Sequence, residues 1–227
     1  VLLRLNDIAG ITRAAAVPKL GGDLRGGVKL FVNMERARLE AVAFVDNRQS
    51  PLIGTGLYGV VASWNPWSEA GDSTTISAFG SGAFDDEFPA DCQDRWAIQA
   101  EHSRFIGLSG LSLRLRGLYS ETNPGDTVAD FNIDGAQGEM EAAFVWPLRR
   151  SRALSADLVV GVEVIEVDSL VPASDGGAGL VTADDSIRVG YLAGTMVQRD
   201  VWGASEAEVE LRVGFDILGA SRPGDEA

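Results

Sequence analysis

The chain has one cysteine and one histidine in 227 residues. A single thiol excludes an internal disulfide framework and denies a zinc ion its second thiolate or a neighbouring imidazole. His102 sits beside Ser103, and Gly107-Leu108-Ser109-Gly110 lacks the spacing of a nucleophile elbow, so a Ser-His-Asp triad has no footing. No apolar run approaches the roughly 20 residues that a membrane helix needs. Basic residues are nowhere concentrated and the formal charge is −14, which argues against nucleic acid as a partner, because a phosphate backbone needs a Lys/Arg patch. The first residues carry no basic n-region of a signal peptide.

What the chain does have is alternation. In Leu111 to Tyr119 the odd positions are apolar and the even ones include Ser112, Arg114 and Arg116. In Ala207 to Asp216 the odd positions read Ala, Val, Leu, Val, Phe, against Glu208, Glu210, Arg212, Gly214 and Asp216. Residues 137–146, 154–165 and 186–193 repeat the pattern with Glu139 and Glu141, Asp157 and Glu163, and Arg188. Successive side chains of a strand point to opposite faces, so each segment has one apolar face and one charged face. A soluble sheet with one wet side would produce that pattern, as would a membrane barrel with lipid outside and a watery lumen. Run lengths favour the barrel, because a membrane-crossing strand takes roughly 9–11 residues and globular strands cluster near about 5–6. Trp64, Trp96, Tyr119 and Trp146 fall near strand ends on the apolar face, where amphipathic rings meet the headgroups.

The expected organisation has two parts, 1–36 and 37–227. Residues 1–10 look like the last turns of an amphipathic helix closed by Gly10. Strands at 11–17 and 28–35 follow, joined by a Gly-rich turn, and together these resemble the tail of a small α+β domain. From Arg38 nine strands are expected: 38–46, 56–64, 73–80, 96–102, 111–119, 137–146, 154–165, 186–196 and 207–216. The connections 148–152 and 199–205 are tight, whereas 81–95, 120–136 and 168–185 are long, acidic and Gly/Pro-rich. Short turns on one rim and long loops on the other are the habit of outer-membrane barrels, which close with even strand numbers in bacterial single chains. The fold class expected is all-β: an antiparallel, partial transmembrane barrel of about nine strands after an α+β remnant.

Several motifs have ordinary alternatives. Asp130-Phe-Asn132-Ile-Asp134-Gly135 with Glu141 matches a calcium loop, yet Pro124 and Gly125 preclude an incoming helix, and a solvated loop running into a strand competes with it. Gly54-Thr55-Gly56-Leu57-Tyr58-Gly59 matches a phosphate fingerprint but leads into a strand, with no helix N-terminus to offer its amides. Asp85, Asp86, Glu87, Asp91 and Asp94 around Cys92 read as a wet loop. Carboxylates are abundant without any pair standing out for glycoside hydrolysis. No enzyme and no cofactor is expected.

Specific residues resemble a family. Val45-Asp46-Asn47-Arg48-Gln49-Ser50 with Gly54, then Ser63-Trp64-Asn65-Pro66 and Gly71-Asp72, are similar to the barrel opening of two-partner secretion outer-membrane transporters, the haemolysin-activator and filamentous-haemagglutinin exporter type. Leu2 to Gly10 resembles the helix that ends the family's second POTRA domain, with Ala9 where proline is usual. Val213 to Ala220 resembles a strand exit of the same barrel. The family's Val-Arg-Gly-Phe/Tyr motif and terminal aromatic do not occur in these 227 residues. The resemblance therefore implies a fragment: the end of a POTRA domain (1–36) and the N-terminal portion of a barrel (37–227). It implies a monomeric outer-membrane pore with its N-terminal part in the periplasm, embedded in outer-membrane lipid. Such a pore takes an unfolded partner exoprotein and secretes it without nucleotide hydrolysis.

The lumen-facing residues expected to serve this are Arg114, Arg116, Glu139, Glu141, Asp157, Glu163, Arg188, Glu208, Glu210 and Arg212. A membrane-protein insertase of the same superfamily, a passive porin and a soluble β-sandwich binding module are the competing readings.

Overall fold

The computed structural model describes residues 11–20, 28–48, 55–65, 71–82, 95–107, 109–123, 134–171 and 180–221. Every regular element among them is a strand. A two-stranded hairpin, β1 (Ile11–Leu20) and β2 (Val28–Arg36), precedes one nine-stranded antiparallel sheet. That sheet runs in chain order through β3 (Leu39–Asp46), β4 (Gly56–Trp64), β5 (Ser73–Gly82), β6 (Arg95–Phe105), β7 (Ser112–Thr122), β8 (Asp134–Arg150), β9 (Leu154–Val171), β10 (Leu180–Arg199) and β11 (Ala204–Gly214). All nine strands expected after Arg38 are present. The expected helix at 1–10, the acidic residues 85–94 and Asp130 and Asn132 of the calcium pattern lie outside the described residues.

Strand length is where the structure departs from expectation. β8, β9 and β10 have 17, 18 and 20 residues, so parts of 120–136 and 168–185 expected as loops are paired strand. Asp168 pairs with Asp184 and Leu170 with Val181, past a register shift between Val181 and Ala183. Alternation fades there because apolar and polar residues fall on both faces, but the backbone groups still need partners and find them in the neighbouring strand.

The connections give the sheet two unlike rims. β8–β9 turns at 151–153, where Ser151 Oγ accepts from the Leu154 amide at 2.9 Å. β10–β11 turns at 200–203, where Asp200 Oδ1 accepts from the Trp202 and Gly203 amides at 2.8 and 3.1 Å. β6–β7 turns through Gly107 and Gly110, both at positive φ (67° and 86°), a conformation that costs glycine least. β3–β4, β5–β6, β7–β8 and β9–β10 all connect on the opposite rim. Leu39 pairs with Trp64, so the hairpin β1–β2 enters the sheet from the short-turn rim.

Register fixes the two faces. In the row Leu115–Ala142–Val162 every side chain points one way, and in the row Arg116–Glu141–Glu163 the other way. Ala143, Val159, Tyr191 and Ala193 are buried on the second, inner face. The outer face carries Met140 (71% exposed), Phe144, Trp146, Val160, Val162, Leu192, Val209, Leu211 and Val213, all open. A soluble β-sandwich hides such a face under a second sheet, and no second sheet covers it among the described residues.

Candidate functional site: the inner wall and its two aromatic girdles

Ten residues were expected to line one face, and the structure places nine of them there. Arg114 and Arg116 come from β7, Glu139 and Glu141 from β8, Asp157 and Glu163 from β9, and Glu208, Glu210 and Arg212 from β11. Arg188 is a correction. Its register partner is Val164, so it lies on the outer face with Val162 and Leu192, beyond the apolar band, where its Nη2 bonds Glu166 Oε1 at 2.6 Å. Ile187 and Val189 flank it, so alternation showed two sides of unlike character without saying which faced in. On β10 the inward residues are Val189, Tyr191 and Ala193.

A connected ionic network crosses five strands. Glu141 is 6% exposed and accepts from Arg114 Nη2 at 2.7 Å, Arg114 Nε at 3.1 Å and Tyr191 Oη at 2.7 Å. Arg116 bonds Glu139 and lies 3.0 Å from Glu141 Oε2 and 3.7 Å from Glu163 Oε1. Arg212 reaches Glu163 Oε2 at 2.9 Å and also bonds Glu210. Glu141 and Glu163 are directly opposed across β8 and β9, a like-charge pair that only the guanidiniums make tolerable. Nearer the short turns Arg150 bonds Asp157 at 2.6 Å.

Sequence reasoning missed Tyr191 and Arg150. The row Arg114–Ala143–Gly161–Tyr191–Arg212 explains Tyr191: two small residues form a trough that its ring fills. A Cβ on Gly161 would stand 2.5 Å from the Tyr191 ring. Gly161→Ala is therefore expected to swing Tyr191 off Glu141 and cost about 1–3 kcal/mol, read from the urea midpoint of the detergent-folded protein. Tyr191→Phe, which loses only the hydrogen bond, should cost about 1 kcal/mol. The signal for this pair was available only once the β9–β10 register was known.

The outer face has an aromatic group at each rim. Trp96 and Tyr119 pack with centroids 5.4 Å apart beneath the long-loop rim, and Glu121 accepts from Trp96 Nε1 at 2.9 Å and Tyr119 Oη at 2.7 Å. Trp64, Trp146 and Trp202 stand exposed toward the short-turn rim. His102 also lies on this face, with Nδ1 2.8 Å from Thr74 Oγ1, while Ser103 points inward, so the two cannot form a catalytic pair. At the β3 exit the Arg48 guanidinium makes three bonds to Asp46, which hold its pKa above the ordinary arginine value.

Two sequence matches resolve into packing. Gly59 lies under Phe44 and Gly80 under Tyr58, close aromatic-on-glycine contacts within the sheet, and among the described residues no helix N-terminus lies beside them. Asp134 and Glu141 sit seven residues apart on the single strand β8, roughly 23 Å of extended chain, so they cannot share a calcium ion. Among the described residues no group of three His, Cys, Asp or Glu side chains could hold a metal.

The same fold occurs in a solved structure, CdiB from Escherichia coli, with a TM-score of 0.76 and 14% sequence identity. The likeness covers 98% of this chain and 40% of that one, so the chain spans well under half of the length of the protein it resembles. It makes the nine-stranded sheet part of a β-barrel. No family model matches the chain, and no curated protein matches it.

Proposed function

We propose that the chain forms part of the wall of a protein-translocating pore in a bacterial outer membrane, of the two-partner secretion type. One observation carries the reading: a single sheet whose outer face is open and apolar between two aromatic groups, and whose inner face carries a connected network of ion pairs. Lipid satisfies the first face and water the second. CdiB, the protein of shared fold, is itself a two-partner secretion transporter, which supports the same assignment.

In this reading β1–β2 and the residues before them are the end of a periplasmic POTRA domain, with 1–36 and 37–227 as the two parts. The hairpin enters at the short-turn rim, the periplasmic side of such barrels. The partner is an exoprotein delivered unfolded from the periplasm, and its folding outside makes the passage one-way. Transport needs no catalytic residue and no nucleotide. The ion pairs matter because Arg114, Arg116, Arg150 and Arg212 are already engaged by carboxylates of the wall, which stays hydrated while leaving these cations little freedom to grip a particular sequence.

Two experiments test this separately. Single-tryptophan versions retaining Trp64, Trp96 or Trp146 should be quenched most by lipids brominated near the headgroups, and unquenched emission would remove the membrane assignment. Cells lacking the protein should then retain the exoprotein in the periplasm. Normal release together with failed assembly of other outer-membrane proteins would instead favour an insertase.

A further inference from the structure

The arginines of the inner wall are spoken for: Arg114, Arg116, Arg150 and Arg212 each stand within ion-pair distance of a carboxylate. Arg104, Arg149 and Arg152, at the short-turn rim, are exposed, and among the described residues none of the three has an ion-pair partner. Arg104 stands opposite Leu113, on the outer face of β6. Arg149 reaches that face through a bulge. Pro147 pairs with Asp157 and Arg149 with Ala156, so Leu148 is the extra residue. Unbroken alternation from Ala143 and Val145 would send Arg149 into the lumen. The bulge turns it out and turns Arg150 in to bond Asp157. The β6–β7 turn lies against this bulge, because a Cβ on Gly110 would stand 3.0 Å from Pro147 Cγ. Trp146, 54% exposed, precedes the bulge on the same outer face. Toward the opposite rim that face has the reverse charge: Glu121, Asp168 and Asp184 fall in one register row.

We propose that Arg104, Arg149 and Arg152, beside Trp146, bind the phosphate of an anionic glycerophospholipid in the periplasmic leaflet. The inference rests on reading the sheet as barrel wall. Charge complementarity and direction choose the occupant. An indole at the edge of an apolar band lies at headgroup level, and a guanidinium just beyond it meets phosphate oxygens, which it can hold with two parallel bonds. A polypeptide in the lumen does not pass the outer face, so the outward aim of Arg104 and Arg149 favours lipid over the exported chain. Bound lipid would hold the β6–β7 and β8–β9 turns at one depth in the membrane, while the acidic row keeps the other rim from competing for the same lipid.

The test uses the 227-residue chain with Trp146 as its single tryptophan, folded into phosphatidylcholine vesicles that carry a small fraction of brominated lipid. Brominated phosphatidylglycerol should be enriched about fivefold over brominated phosphatidylcholine around Trp146, and the excess should shrink as salt is raised. A version retaining Trp96 alone, beside Glu121, should show no excess. Serine at positions 104, 149 and 152 together should abolish the excess at Trp146, and lysine at the same positions should keep most of it. Heat-modifiable migration on a gel shows that each variant is folded. An excess that survives the serine variant, or that Trp96 shares, would overturn the proposal. Loss of the excess on adding inorganic phosphate at constant ionic strength would overturn it in favour of a free anion. Loss on adding a glutamate-rich peptide would assign the rim to the exported polypeptide instead. Equal quenching of Trp146 by the two lipids removes the phosphate site alone, whereas quenching by neither removes the barrel-wall reading beneath it.

Discussion

Val162→Arg should destabilise the lipid-embedded protein by about 2–4 kcal/mol, the cost of an arginine near the bilayer midplane on the outside of a barrel. Val162 sits midway along the apolar run of β9, open to 56%, between Ala142 of β8 and Gly190 of β10. Neither neighbour offers a carboxylate, and the headgroups are several residues away along the strand. The matched control is Thr195→Arg, which adds the same side chain to the inner face. Thr195 stands in register with Asp157 on one side and Glu208 on the other, so its guanidinium would meet carboxylates and water. That change should stay within about 1 kcal/mol of the parent. Urea titration in phospholipid vesicles, with the folded fraction read from heat-modifiable migration on a gel, gives both numbers. The comparison is diagnostic because a soluble sheet with a wet outer face would tolerate Val162→Arg as easily as Thr195→Arg. Equal, small effects would leave the outer face without lipid.

The legible part of the molecule was the part where the two faces differ. From Leu111 to Tyr119 and from Ala207 to Gly214 one face is apolar and the other charged, and both the strands and their inward residues came out of that contrast. Where the contrast vanished, so did the signal. Glu166 to Val171 and Leu180 to Ser186 are strand because each supplies the other's hydrogen bonds, a long-range pairing no local pattern reveals. Arg188 was placed on the wrong face for a related reason. β10 turns apolar residues inward at Val189, Tyr191 and Ala193, because the inner wall there is a trough over Gly161 bordered by arginines from β7 and β11. The charges were legible one at a time. Their partners were not, since every ion pair between neighbouring strands depends on register, and register depends on loop lengths and bulges.

Glu141→Leu is the second change expected to have a large effect, about 2–3 kcal/mol, and it separates two descriptions of the inner wall. Glu141 is the hub: two guanidiniums and one phenol converge on a carboxylate that is almost wholly buried. Removing it leaves Arg114 without its carboxylate and Tyr191 without its acceptor, while Arg116 keeps Glu139 and Glu163. A fully buried pair broken this way would cost about 3–5 kcal/mol, but the Arg114 and Arg116 side chains keep 33% and 34% of their exposure, so water recovers part of the loss. Glu141→Gln preserves an acceptor for Tyr191 and should cost about half as much. Removing Arg114 together with Glu141, as Arg114→Leu with Glu141→Leu, should cost less than the sum of the two single changes, because neither charge is then stranded. Denaturant midpoints of the four proteins form a double-mutant cycle whose coupling should exceed 1 kcal/mol. A coupling near zero would mean that lumen water already solvates both groups and that the network merely decorates the wall. A coupling of the expected size would mean that the ion pairs hold β7, β8 and β10 in register, so that the surface past which a polypeptide moves is also the surface that keeps the strands together.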